Sequence, residues 1–112
     1  MLIGLDEKRI DADGYESSKP LWNWIDGIFE HVKWTKEPQD DGTVLYVGGI
    51  DNDNFLADCF VILRALTLDK NFAKYCNKWL SFDNEDDESL PLLEVDVLAR
   101  ERASNPLFKV GL

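Results

Sequence analysis

The fold is organised around one apolar stretch, Asp53-Asn-Phe-Leu-Ala-Asp-Cys-Phe-Val-Ile-Leu-Arg-Ala-Leu-Thr-Leu68. At helical spacing, one face of this stretch carries an apolar stripe that Leu56 and Leu63 widen: Phe55, Cys59, Ile62 and Leu66. Three further apolar residues lie outside the stripe: Phe60, Val61 and Leu68. A helix that is apolar over most of its circumference is normally buried. We therefore predict that residues 53–68 form the central helix of a single core, with Ile62 and Leu66 fully buried.

Two further helices are predicted on either side of this one. Ser18-Lys19-Pro20 is a helix-start signal, because proline fits the first helical turn, and it predicts a helix over residues 20–36. Pro38 ends this helix, since the residue before a proline avoids helical angles. Asp69 is placed to cap a third helix over residues 70–82. Its inward face holds four residues: Phe72, Tyr75, Cys76 and Trp79.

The remaining segments include residues that could form strands. Residues 92–98 alternate polar and apolar side chains as a strand does, but they also fit a fourth helix over residues 90–103, which we favour. Residues 43–47 are β-branched and aromatic, which predicts a strand, and the apolar tail 107–110 is suited to lie beside it.

The sequence thus predicts a mainly α fold. Residues 1–112 form a single-domain helical bundle of three to four helices with a minor β element. The alternative is an α+β fold, in which residues 43–47 pair with an N-terminal or C-terminal strand.

The charge balance restricts the partners of the chain. There are 22 acidic and 12 basic residues, a net charge of −10. This charge repels bare nucleic acid and anionic membrane surfaces, and it favours a basic protein partner or serves solubility alone. No segment has the length of a membrane span, and the N-terminal apolar run is too short for a signal peptide. Cys59 and Cys76 fall on apolar helical faces, so we predict reduced thiols and a cytoplasmic protein.

Residues that could carry catalysis or bind a metal are few. His31 is the only histidine, and no nucleophile motif such as Gly-x-Ser-x-Gly accompanies it. One histidine and two separated cysteines do not make a usual zinc set. Asp83, Glu85 and Asp87 alternate as in a calcium loop, but Glu88 stands where that loop requires glycine. We predict no catalytic residue, no metal and no cofactor, and therefore a protein that is not an enzyme.

In size and charge the chain resembles the small acidic bacterial immunity proteins, which neutralise a cognate basic nuclease toxin in colicin and contact-dependent inhibition systems. The helical colicin immunity proteins carry a Tyr-Tyr pair beside an acidic helix. This chain has no such pair, so the resemblance assigns no binding residues. It implies a non-catalytic inhibitor of a basic protein. The alternatives are a small enzyme or ligand-binding domain with a cleft near His31 and Trp24, and an acidic DNA mimic that blocks a defence enzyme.

Two acidic segments are candidates for binding a basic partner. The first is the densest charge in the chain, a loop with five acids: Asp83, Glu85, Asp86, Asp87 and Glu88. Their mutual repulsion is relieved by a basic partner, which they also steer, although a loop that serves only solubility explains them equally well. The second patch combines Asp40 and Asp41 with Trp34. Trp34 projects away from the apolar face of its helix, where either a neighbouring loop packs on it, as we favour, or a partner does.

Overall fold

A five-stranded antiparallel sheet lies at the centre of the fold. The computed structural model describes residues 1–48, 55–83 and 93–109. Its strands are β1 (Leu2–Leu5), β2 (Thr35–Pro38), β3 (Val44–Val47), β4 (Cys76–Asp83) and β5 (Leu93–Asp96). Within the same ranges the helices are α1 (Glu7–Ala12), α2 (Lys19–His31), α3 (Phe55–Thr67), α4 (Lys70–Tyr75), α5 (Val97–Ser104) and α6 (Pro106–Lys109). The fold is therefore α+β, and the prediction of a mainly α helical bundle is wrong.

Strand β1 occupies the middle of the sheet, whose order is β2-β3-β1-β4-β5. It pairs with β3 through Ile3 and Val44, and with β4 through Ile3 and Trp79. The alternative prediction, that residues 43–47 pair with an N-terminal strand, is confirmed. The bundle prediction failed because a short apolar run becomes a strand only through its neighbours in the sheet, which lie far along the chain.

Strand β4 replaces the second half of the third predicted helix. Asp69 caps α4 as predicted, since its Oδ1 accepts a hydrogen bond from the Phe72 amide at 2.8 Å. The helix nevertheless ends at Tyr75, and Cys76 has extended backbone angles (φ −69°, ψ 121°). The inward spacing that favoured a longer helix also suits a strand here. Trp79 is fully buried opposite Ile3, and β4 is hydrogen-bonded on both edges, to β1 and to β5.

The end of α2 differs from the predicted boundary at residue 36. The helix stops at His31, and Lys33 takes a left-handed conformation with φ of 62°. The Lys33 amide donates to the Glu30 carbonyl and the Trp34 amide to the Phe29 carbonyl, each at 3.0 Å. This is the Schellman arrangement of helix ends, and it reverses the chain into β2. Pro38 closes β2, an edge strand in which a missing N–H is tolerated.

Both interpretations of residues 92–98 hold in part. Strand β5 ends at Asp96, whose Oδ1 accepts from the Ala99 amide at 3.0 Å and caps α5. A helix over 90–103 was too long, because the first described residues of that segment pair with β4. The tail packs back onto the core as the short helix α6 and not as a strand beside β3, and it buries Phe108 against Phe72 and Trp79. Val110 lies outside the described residues.

The core lies between the helices and one face of the sheet, with Trp79 and Ile3 fully buried on the sheet side. Ile62 and Leu66 of α3 are each 0% exposed, which confirms their predicted burial. However, α3 is not enclosed as a central helix, because Phe60 is 72% exposed on its outer side. Within the described ranges, no helix is long and apolar enough to cross a membrane.

Candidate functional site

The predicted acidic loop lies almost wholly outside the described residues. Asp83 is the last residue of β4. The other four acids of the loop fall in the range 84–92, for which no structure is described: Glu85, Asp86, Asp87 and Glu88. The loop therefore stays a prediction from the sequence.

The second predicted patch is divided by the structure. Asp40 and Asp41 are exposed in the turn between β2 and β3. Asp41 also shapes this turn, because its Oδ1 accepts from the Thr43 amide at 3.0 Å and from the Thr43 hydroxyl at 2.6 Å. These hydrogen bonds hold the pKa of Asp41 below its usual value. Trp34 is only 7% exposed and packs against Phe29, so its ring does not join the two carboxylates at the surface.

The cleft predicted near His31 and Trp24 is an open groove between α2 and α3, with a volume of about 470 Å³. Its described lining is neutral apart from the imidazole: Asn23, Trp24, Gly27, Ile28, His31, Val61 and Ala65. Neither a nucleophilic side chain nor a carboxylate that could orient His31 belongs to this lining. Acid–base catalysis of the Ser–His or Cys–His kind needs both.

A smaller and more enclosed cavity, of about 250 Å³, opens where the chain from α1 to α2 crosses α4. We call it the aromatic pocket, because three aromatic rings form much of its wall: Tyr15, Trp24 and Tyr75. Apolar side chains complete the wall, and polar groups stand among them: Ile10, Pro20, Leu21, Ser17, Ser18, Asp69 and Asn71. Tyr15 and Trp24 are 52% and 37% exposed, so both side chains offer aromatic surface at this cavity.

Asp13 holds Tyr75, one of the three aromatic residues of the aromatic pocket, in place. Its Oδ2 accepts a hydrogen bond from the Tyr75 hydroxyl at 2.7 Å and lies 3.0 Å from the Lys74 ammonium. The Tyr75 hydrogen bond, followed by the contact with Lys74, lowers the pKa of the Asp13 carboxyl. Tyr15 meets the Tyr75 ring edge-on, with ring centroids 5.9 Å apart. The two tyrosines are thereby positioned by contacts between α4 and the residues that follow α1.

Glu7 fixes the other side of the aromatic pocket. Its Oε1 accepts from the Ser18 hydroxyl at 2.9 Å and from the Trp22 indole N–H at 3.2 Å. These two hydrogen bonds join α1 to the first turn of α2. Ser18, at this junction, and Trp24, further along α2, both line the pocket.

Sequence reasoning missed the aromatic pocket. Tyr15 belongs to a stretch with turn residues, and at helical spacing Trp24 falls on the broad apolar face of residues 20–36. The one available signal was the breadth of that face, since a stripe carrying Trp22, Trp24, Ile25 and Ile28 is wider than one core contact needs. The tyrosine that completes the pocket comes from α4, which the sequence does not connect with α1.

The cysteines and acids of the described ranges form no metal-binding cluster, and Cys76 is not an activated thiol. Neither Cys59 nor Cys76 is in a disulfide, and burial raises the pKa of Cys76 to about 12, which keeps the Cys76 thiol protonated and unreactive. Over the same ranges, no three His, Cys, Asp or Glu side chains lie close enough together to hold a metal ion.

Comparison with known proteins found no protein-family model, no curated protein and no solved structure that matches this chain. The case for its function therefore rests on its own residues: an acidic surface, an aromatic pocket and an open groove beside His31.

Proposed function

We propose that this protein is a non-catalytic acidic binding protein that neutralises a basic partner, most directly an immunity protein that inhibits a cognate toxin nuclease. The observation that carries the proposal is the net charge of −10. None of the charged side chains that the structure describes is buried, so the part of this charge that they carry lies at the surface. Two carboxylates in the described ranges are held in ion pairs, Asp13 with Lys74 and Asp26 with Lys36.

A surface with this charge steers a basic protein toward it and raises the association rate, most strongly at low salt. A toxin nuclease is such a partner, because it needs a basic cleft to hold the phosphates of its substrate. Close contact requires more than charge, since buried aromatic anchors supply most of the energy of protein interfaces. Tyr15 and Trp24, both exposed beside the aromatic pocket, are suited to that role.

Two alternatives lead to different experiments. A small ligand-binding domain or enzyme would use the groove beside His31, whose described lining offers stacking surface but no second catalytic group. An acidic DNA mimic would bind the DNA cleft of a defence enzyme through its charge alone. Gene context separates them, because an immunity protein is expected next to the gene of its toxin.

The proposal is tested with the product of the gene directly upstream. We expect the two purified proteins to form a stable complex, nuclease activity to be lost at equimolar ratio, and co-expression to rescue growth. A His31→Ala variant should protect as well as the unaltered protein. Turnover of a small substrate that disappears in His31→Ala, with no complex formed, would instead establish the enzyme alternative.

The acidic loop makes a separate contribution that can be measured. Replacing its five acids by Asn or Gln should slow association at low salt and flatten the salt dependence, because long-range attraction acts mainly on the association rate. The control removes the same number of charges at described, unburied positions outside the loop: Asp11, Glu16, Glu30, Glu37 and Glu101. Equal effects of both variants would show that total charge matters, and unaltered kinetics in the loop variant would remove the loop from the interface.

A further inference from the structure

We propose that the aromatic pocket receives the side chain of an arginine that the basic partner presents. This inference rests on the function proposed above, and it names the group that the pocket would bind. Arginine joins an apolar stem to a planar cation, which stacks on aromatic rings and forms paired hydrogen bonds with a carboxylate. The pocket offers one surface for each of these parts.

The walls of the pocket can contact both the apolar stem and the planar guanidinium of an arginine. Ile10, Pro20 and Leu21 provide aliphatic surface, on which the methylene groups of a long side chain lose contact with water. Tyr15 and Trp24 provide partly exposed ring faces at the opening. A cation over the face of such a ring is attracted by its π electrons, and tryptophan gives the strongest attraction.

The carboxylate of Asp69 matches the charge. Its Oδ1 is engaged by the Phe72 amide, whereas Oδ2 has no hydrogen-bond partner within the described ranges. Asp69 also belongs to neither ion pair of those ranges, although it lines the pocket. Asn71, on the same wall, adds a side-chain carbonyl that can accept from a guanidinium.

The fold already contains one cation that contacts both an aromatic ring and a carboxylate. The Lys74 ammonium lies 5.2 Å from the centroid of the Tyr75 ring and 3.0 Å from Asp13. A cation therefore sits over a tyrosine and against an aspartate next to the pocket, but Lys74 itself does not line it. The pocket repeats the same chemistry with Tyr15, Trp24 and Asp69, and without a cation from the described part of the chain.

Charge decides among the occupants that such a pocket could take. An acidic side chain would be repelled by Asp69, and a second copy of this chain would bring another −10. A neutral aliphatic or aromatic side chain would fill the walls but leave the carboxylate unused. Arginine uses the walls and the carboxylate together.

The direct test needs no partner protein. The full chain, labelled with ¹⁵N, is titrated with N-acetyl-arginine-N-methylamide and with the citrulline analogue, which has nearly the same shape but no charge. We expect saturable shifts of the Trp24 indole and Asn71 amide signals in the millimolar range, with citrulline binding at least fivefold more weakly. The variant Asp69→Asn should lower arginine binding to the citrulline level, because asparagine keeps the helix cap but removes the charge.

The matched control is Asp96→Asn. Asp96 caps α5 with the same kind of hydrogen bond as Asp69 makes to α4, and it does not line the pocket. This variant should bind the arginine probe as the unaltered protein does. Equal binding of arginine and citrulline, no shift at Trp24, or arginine binding unchanged in Asp69→Asn would overturn the inference.

Binding of the Asp69→Asn and Asp96→Asn variants to the basic partner then distinguishes failure of the pocket inference from failure of the proposed function. If the chain binds the basic partner and Asp69→Asn weakens that complex about tenfold while Asp96→Asn does not, both stand. If the complex forms equally well with Asp69→Asn, the pocket inference fails and the proposed function remains. If no complex forms although the arginine probe binds, the proposed function fails while the pocket retains its specificity.

Discussion

Lys33 carries a backbone conformation that its side chain makes costly. Its φ of 62° puts the Cβ near the carbonyl oxygen, which costs about 1–2 kcal/mol for a residue other than glycine. The chain accepts this cost because the turn lets Trp34 pack against Phe29, with ring centroids 5.6 Å apart. Glycine at this position would remove the clash, but it also has more freedom to lose on folding.

Lys33→Gly should therefore raise the free energy of unfolding by about 0.5–1 kcal/mol, measured by urea denaturation. Lys33→Ala is the control, because it removes the same side chain and keeps the Cβ. Equal midpoints for the two variants would mean that the lysine side chain, and not the left-handed backbone, sets the effect.

Asp13 should make stability depend on pH. Its pKa is lowered in the folded protein, first by the Tyr75 hydroxyl and then by Lys74, so its contribution is fully present above the unfolded pKa, near 4. It is lost as the pH falls through the lower, folded pKa. Asp13→Asn should thus lower the urea midpoint at pH 7, and the difference should shrink from about pH 4 downward.

The control for this pH dependence is Asp11→Asn, which removes an exposed acid of α1 that belongs to neither ion pair of the described ranges, and it should not lower the midpoint at pH 7. A midpoint difference for Asp13→Asn that is as large at pH 2 as at pH 7 would show that the carboxyl charge does not matter. The Tyr75 and Lys74 contacts would then not be the cause.

At the scale of elements, α3 stabilises the fold through one side only. Ile62 and Leu66 are fully buried, whereas Phe60, on the same helix, is 72% exposed. Ile62→Ala or Leu66→Ala should lower the free energy of unfolding by about 2–5 kcal/mol, through lost burial and a cavity. Phe60→Ala should change the free energy of unfolding by no more than about 0.5 kcal/mol. The phenylalanine side chain is larger than that of isoleucine or leucine, but it is mostly exposed to solvent, so little burial is lost. Comparable losses for Phe60→Ala would mean that this face is covered.

These elements also mark how far the sequence predicts the fold. The stripe through Ile62 and the Asp69 cap depend on residues a few positions apart, and both were predicted. Strand β4 was not, because Trp79 satisfies helical spacing from Phe72 and only its pairing with Ile3 makes it a strand residue. Ile3 and Trp79 are far apart in the sequence, so their pairing cannot be read from the spacing of apolar residues within a short segment.

The candidate site was hidden for the same reason. The aromatic pocket is held by a hydrogen bond between Asp13 and Tyr75, which are 62 residues apart. Composition gives the net charge, because counting charged residues needs no knowledge of contacts. Which carboxylate stands beside exposed rings, as Asp69 does beside Trp24, follows only from the folded arrangement.

For the whole molecule, the charge of −10 sets two electrostatic effects against each other. Repulsion among the excess acids opposes the compact state and is weakened by salt, so added salt should stabilise the protein. The two ion pairs of the described ranges act in the opposite direction, but surface pairs contribute only about 0–1 kcal/mol each. Because 22 acids face 12 bases, we expect repulsion to dominate.

The urea midpoint at pH 7 should therefore rise as sodium chloride increases from about 0.02 to 0.5 M, a range over which the screening length falls from roughly 20 Å to below 5 Å. The variant with its five loop acids neutralised should start from a higher midpoint and gain less from salt, because less repulsion remains to be screened. Its charge-matched control, neutralised at Asp11, Glu16, Glu30, Glu37 and Glu101, separates the effect of local charge from that of total charge. If the loop variant gains less than this control, crowding of the five acids is the cause.

A midpoint that falls with salt in the unaltered protein would show that the ion pairs outweigh the repulsion. The acidic surface would then be balanced within the fold, and a basic partner would gain little by relieving it.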